Sequence, residues 1–276
     1  MAEQLRRHPM PATTAIGVDE IAHRAGHEYR VVVSDLVRQR PIWFGGSGHK
    51  QTDLEQFFAA YGERRCKGIQ VAVMDMWKPF REATHTCAPQ AEIVFDKFHI
   101  LRHLNDALDA VRRFEYTRVQ GEQRRFIKGN RYTLLSHREN LDLDGRKALK
   151  TLLAANQRLN TAYLLKESFG QLWDYSSEAC ARKFFENWKD ALKWQRLKPF
   201  EKFAAMIERH WDGIVSYCKP ENKVSLGCVV GLNNTIRVIQ RKAYGFRDEE
   251  YLAMKIITHF LPALPNHAKI THTNPR

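Results

Sequence analysis

The chain has 276 residues, 43% of them apolar and 27% charged, which excludes a disordered tract and suits one large domain or one domain with a big insertion. Lysine and arginine total 44 against 31 acids, a formal charge of +13, and a surplus of this size favours nucleic acid over an indifferent basic surface, because each neutralised phosphate releases a condensed counterion. No run approaches about 18 consecutive apolar residues, and the opening MAEQLRRHPMPATT has no signal-peptide core, so neither a bilayer span nor secretion is expected.

Taken in chain order, residues 1–14 read as a tail. Two β-branched runs, Ala15–Ala22 and Tyr29–Leu36, predict strands joined by a hairpin connection at Gly26. Pro41–Gly46 is a third short strand, giving an antiparallel meander. A helix follows, capped by Thr52 or Asp53, with Leu54, Phe57, Phe58 and Tyr61 on one face. Gly68–Asp75 reads as a buried strand, KPFREATHTCAP as a short helix, Ala91–Asp96 as a strand, and the chain from about Phe98 as a long helix.

Strand signals stop at about Thr117. From there to Cys218 aromatic residues recur at helical intervals among basic ones, which predicts an all-α block. Two closing helices are expected at about Val230–Lys242 and Asp248–Phe260, before a proline-rich tail. The order β-β-β-α-β-α-β-α is that of a ribonuclease-H-like α/β fold, here a mixed five-stranded sheet with a large helical insertion before the last helices. The boundaries expected are a core from 15–117, an insertion over 118–218, closing core helices over 219–262 and a tail over 263–276. The five cysteines, Cys66, Cys87, Cys180, Cys218 and Cys228, are odd in number, and no pair has metal-ligand spacing. They read as reduced, mostly buried thiols of a cytoplasmic protein.

Asp19 falls inside the first strand and Asp75 at the end of the fourth, and these strands are neighbours in the expected order. Two carboxylates held close repel unless a cation lies between them. Mg²⁺ suits the pair, because it accepts one or two carboxylates and leaves positions open for phosphate oxygens and water. In a basic chain, that points to phosphodiester cleavage or transfer. Aspartates at strand ends also cap turns and helices, and spacing alone leaves both readings open.

The stretches IGVDEIAHRAGHEYRVVVSDL, RPIWFGG, AVMDMWKPFREAT, APQAEIVFDKFHILRHLNDALD and GLNNTIRVIQRKAYGFRDEEYLAMKI add a second line of reading. In this order they resemble the bacterial insertion-sequence transposases of the ISL-three group, and the likeness runs from about Ile16 to Lys255. The resemblance implies a DDE-type transposase that uses two aspartates, one glutamate and Mg²⁺, with Mn²⁺ as a substitute, to cut DNA at element ends and join it to a target. It also implies a homo-oligomer that acts on DNA in the bacterial cytoplasm, associated with the nucleoid. Asp19 and Asp75 then correspond to the first and second acids. The family's glutamate belongs in VEGLNN. This chain reads VVGLNN, and the matching position is Val230.

An isopropyl group cannot ligate a hard cation, so strand cleavage and transfer are expected to be impaired. The alternative is an inactive, DNA-binding remnant that co-assembles with intact relatives. Glu221 and Glu20 are poor substitutes: one precedes the closing helix, and the other points to the opposite face of its strand from Asp19. The resemblance further implies an N-terminal zinc-binding and helix-turn-helix region, and the chain is expected to be an N-terminally truncated member. Asp96, His99 and Asn233 are candidate auxiliary residues, each with a plainer reading as a helix cap, surface histidine or helix-start hydrogen-bonder. Arg237, Arg241 and Lys242 are candidate DNA-backbone contacts or simply a solvated helix face. The tryptophans of the all-α block can stack on bases, but at helical spacing they read as core.

Overall fold

The computed structural model describes residues 1–24, 28–224, 227–242 and 248–263. Five strands, β1 (Ala15–Arg24), β2 (Glu28–Asp35), β3 (Arg40–Gly45), β4 (Val71–Met74) and β5 (Glu92–Phe95), form one sheet in the order β3-β2-β1-β4-β5. The first three strands are the expected antiparallel meander, with Gly17 opposite Ser34 and Asp19 opposite Val32. The turn expected at Gly26 lies outside the described residues. β1 and β4 are neighbours, as the two-aspartate reading requires. All four residues of β4 are buried, which explains its unbroken apolar sequence. It begins at Val71 rather than at Gly68, because Gly68 and Ile69 close the turns that follow the preceding helix.

The chain divides into two compact units, and each is described in turn. One comprises Met1–Ala72, Lys78–Ala91 and the stretch from Gly227. It carries β1, β2, β3 and the helices α1 (Ala2–Arg7), α2 (Gln51–Tyr61), α3 (Glu63–Cys66), α4 (Lys78–Cys87), α13 (Gly227–Lys242) and α14 (Glu249–His259). Leu54, Phe57, Phe58 and Tyr61 of α2 are buried on one face, as the periodicity predicts. Its cap differs from expectation. Lys50 is the N-cap residue, and Asp53 lies three positions in, where its carboxylate accepts from the backbone N–H of Ser47 and Lys50 at 2.8 and 2.9 Å. The segment expected as an N-terminal tail contains α1, whose Gln4 amide donates to the carbonyls of Thr258, Leu261 and Pro262.

The plain reading of a strand-end aspartate is realised at Asp35. Fully buried, it accepts from Thr13 Oγ1 at 2.7 Å and from the backbone N–H of Val37 and Arg38 at 2.9 and 3.0 Å. Ile21, Val32 and Phe44 from three adjacent strands make one apolar cluster with Ile236, Leu252 and Ile256 of α13 and α14.

The other unit comprises Val73–Trp77 and Glu92–Leu226. It begins its helical part with α5 (Lys97–Arg118) and continues through α6 (Gly121–Gly129), α7 (Arg131–Leu135), α8 (Leu143–Ala155), α9 (Gln157–Phe169), α10 (Glu178–Asp190), α11 (Lys198–Arg209) and α12 (Trp211–Val215). No described residue between α5 and α13 is in a strand, which agrees with the all-α reading. The aromatic residues of the all-α block are only partly core: Tyr163, Phe169, Phe185, Trp188, Phe200 and Phe203 are buried, but of the tryptophans expected as core Trp188 alone is, with Trp173 and Trp211 half-buried. Phe169 meets Trp188 and Phe203 edge-on at 5.0 Å, and Trp188 Nε1 donates to Leu165 O at 2.9 Å. Trp194 is the contrary case, at 95% exposure. The cysteines are less uniformly buried than expected: Cys66 and Cys218 are buried, Cys87 and Cys228 half-buried, and Cys180 exposed. Burial pushes the thiols of Cys66, Cys87, Cys218 and Cys228 up, away from the reactive thiolate.

Candidate active site

In β1, alternate residues share a face, so Gly17, Asp19 and Ile21 point to one side. α13 runs along that side. Its Val229 lies against Gly17, its Asn233 amide donates to Asp19 Oδ2, and its Ile236 joins Ile21 in the apolar cluster. The match is one of rise: four helical residues advance about 6 Å, close to the ~6.7 Å covered by two strand residues. Close approach depends on the missing side chain at Gly17, where a Cβ would stand 2.9 Å from Val229 Cγ2 and 2.9 Å from Leu36 Cδ2.

Asp19 is half-buried. Its Oδ1 accepts from the N–H of Glu20 at 2.8 Å. Asn233 is 3% exposed, and its amide is committed to the Asp19 carboxylate. This asparagine is therefore more than a hydrogen-bonder of its own helix, because it ties α13 to β1 at the first aspartate.

Val230 lies one residue beyond Val229 and three before Asn233, on the flank of the helix face that meets β1. It is 40% exposed. At about 100° per residue, Val230, Asn234, Arg237 and Arg241 fall within one narrow stripe along α13. All four are exposed. Arg237 Nη1 donates to Asn234 Oδ1 at 3.2 Å, so Asn234 orients a guanidinium on this stripe. Lys242 is also exposed, about 100° further round than Arg241.

Asp75 follows β4 directly and is half-buried. Its carboxylate accepts from the N–H of Met76, and α4 begins only at Lys78, so Asp75 does not cap that helix. Asp96 does cap one. It is the N-cap of α5, is 4% exposed, accepts from Phe98 N at 2.9 Å, and lies 3.1 Å from His99 Nδ1. The aspartates that follow β4 and β5 thus have different local roles. Glu20 is paired with His49, and Glu221 sits in a 3₁₀ turn (Pro220–Asn222) before α13. Among the described residues, no three side chains from histidine, cysteine, aspartate and glutamate converge in a metal-holding group.

A model of the ISL3-type DDE transposase family, described as transposase, matches residues 16–256. Among curated proteins, the chain is similar to the transposase for insertion sequence element IS1001 of Bordetella parapertussis, at 33% identity over 248 residues that cover 89% of this chain and 60% of that protein. It is also similar to the transposase for insertion sequence element IS1557 of Mycobacterium tuberculosis, at 28% identity over 285 aligned positions that cover 93% of this chain and 63% of that protein. The chain thus spans about 60% of the length of these relatives. The five-stranded sheet with its helical insertion agrees with the ribonuclease-H-like architecture expected from the sequence. With the match running through β1, β4, the all-α block and α13, the chain belongs to the ISL3-type transposase family.

Proposed function

We propose that this chain is a DNA-binding DDE-type transposase segment whose carboxylate site is reduced to Asp19 and Asp75, so that Mg²⁺-dependent cleavage and strand transfer at insertion-sequence ends is strongly impaired. The observation that carries the reading is the position of Val230. It is exposed on the stripe shared with Arg237 and Arg241, on the helix that Asn233 ties to Asp19. A carboxylate at that position would stand at the end of a basic track suited to a phosphate backbone.

Bound Mg²⁺ would polarise a phosphodiester oxygen and lower the pKa of an attacking water or hydroxyl. Asp19 and Asp75 would hold it, Asn233 would keep the Asp19 carboxylate in one orientation, and Arg237 and Arg241 would hold the strand as a fork-shaped pair of cations. Val230 supplies no ligand. At 40% exposure, a valine in place of an acid there costs the fold little. The chain would assemble on DNA as a homo-oligomer, and co-assembly with intact relatives is the form in which it would act without cutting.

The test is a nicking assay on supercoiled DNA with Mg²⁺ or Mn²⁺. The chain as it stands is expected to cleave near background, and Val230→Glu to recover cleavage that Asp75→Asn then abolishes. Robust cleavage by the unaltered chain, lost in Asp75→Asn, would overturn the impairment.

A further inference from the structure

The helical unit contains a cavity of about 440 Å³ whose lining joins an apolar floor of Ala110, Val111 and Pro199 to Phe114 and Arg118 of α5, Arg158 of α9, Arg196 of the loop before α11, and Lys198 at the first position of α11. Its volume falls in the range of about 300–1,000 Å³ typical of small-ligand sites. Four of these eight residues are cationic.

The charge is not cancelled from within. Glu115, 6% exposed, is the nearby acid, at 3.0 Å from Arg158 and 3.6 Å from Arg118. Among the described residues, neither Arg196 nor Lys198 has an ion-pair partner. Arg158 is also fixed by its donation to the Arg196 carbonyl at 3.0 Å. Arg196 itself has a left-handed backbone, φ +53°, which a non-glycine residue adopts at some cost. The loop is therefore held in a conformation that brings both its carbonyl and its side chain to this wall.

Phe114 supplies the other half of the recognition. Its ring is 52% exposed, with the Arg118 and Arg158 guanidinium carbons 5.6 and 5.5 Å from its centroid. An exposed aromatic ring among four cations, over a pocket rather than a flat surface, offers two kinds of contact at once. The cations suit a phosphate, and the ring suits the π-face of a base. The α11 N-terminus, which has no side-chain cap, adds its partial positive charge to the same wall.

We infer that this cavity takes one unpaired nucleotide of a DNA strand, its phosphate on Arg196, Lys198 and Arg118 and its base against Phe114. A paired base cannot reach such a pocket without leaving its stack. The choice of DNA as the source of the nucleotide rests on the reading of the chain as a DNA-binding transposase segment.

The experiment measures binding of the whole chain, by fluorescence anisotropy, to three labelled duplexes: blunt, with a short single-stranded overhang, and with the same overhang made of abasic sugars. The overhang duplex is expected to bind about tenfold more tightly than the abasic one, the scale of one base–aromatic stack. Phe114→Leu, which keeps the apolar bulk, is expected to erase that difference. Arg196→Asn with Lys198→Ser is expected to weaken both overhang duplexes by about tenfold and the blunt one far less. Asparagine tolerates the left-handed backbone at this position, so the fold is preserved. A base preference that survives Phe114→Leu, or equal binding of all three duplexes, overturns the pocket while leaving DNA binding intact. Absence of binding to every duplex overturns both the pocket and the DNA-binding reading.

Discussion

Asn233 of α13 donates a hydrogen bond to the carboxylate of Asp19 in β1, so the helix that carries Val230 is fixed to the strand that carries the first aspartate. A buried amide with this partner contributes to stability and to the aim of the carboxylate together. Asn233→Leu should lower the unfolding free energy by about 1.5–3 kcal/mol, the usual worth of a hydrogen bond to a charged group. Asn233→Asp should cost more at neutral pH, because it sets two carboxylates against each other, and the excess should shrink as acid protonates one of them. Urea denaturation at pH 7 and pH 4 measures both. Equal stability of the two variants at both pH values would contradict the contact.

Val230→Glu should be nearly neutral for the fold, within about 0.5 kcal/mol, because the side chain is 40% exposed. Its effect should appear with metal. Mg²⁺ is expected to raise the thermal midpoint of the variant more than that of the unaltered chain, since a ligand that binds only the folded state stabilises it by mass action. Identical shifts in calorimetric titrations of the two proteins would remove Val230 from the metal's surroundings.

Gly17→Ala should destabilise by about 1–3 kcal/mol, the cost of overpacking, because the added methyl meets Val229 and Leu36 at 2.9 Å. Combining it with Val229→Ala should recover part of the loss, and a double-mutant cycle gives the coupling. Simple additivity would mean that α13 does not rest on β1 at this point.

Glu92, at the start of β5, accepts from Lys219 Nζ, Asn222 Nδ2 and Ser216 Oγ. The Lys219 ammonium first, and then the Asn222 amide, hold its carboxyl below the usual carboxylate range. A folded-state pKa below the unfolded value gives stability that is present above about pH 4.3, the unfolded glutamate value, and is lost as pH falls through the depressed folded value. The glutamate side chain is 40% exposed, so solvent screening holds the effect to about 1 kcal/mol or less. Glu92→Gln should therefore be slightly less stable than the unaltered chain at pH 7 and indistinguishable from it at the acid end. Chemical denaturation across that range is the check.

The strands, the all-α block and the two closing helices were legible because their signals are local. The β-branched runs of β1 and β2, the apolar run of β4, and the aromatic spacing of α9 to α11 are each read within a few neighbouring residues. The cap of α2 was misread because Asp53 and Thr52 are both good capping residues. The choice of Lys50 depends on where Ser47 and the end of β3 lie, which sequence spacing does not encode. The basic cavity went unseen for a related reason. Phe114, Arg158 and Lys198 come from three helices far apart in sequence, and the sole hint was that basic residues interleave with aromatic ones.

By itself, the sequence determined the family, the positions of Asp19 and Asp75 relative to their strands, and the valine in the GLNN motif, because these are matters of residue identity and order. Only the tertiary structure decided that Asn233 serves Asp19, that Asp96 caps a helix while Asp75 does not, and that Val230 shares an exposed stripe with Arg237 and Arg241. Each of these depends on which helix turn faces which strand residue. That phase is set by the packing of Val229 on Gly17 and of Ile236 in the apolar cluster with Ile21, not by any local preference of the chain.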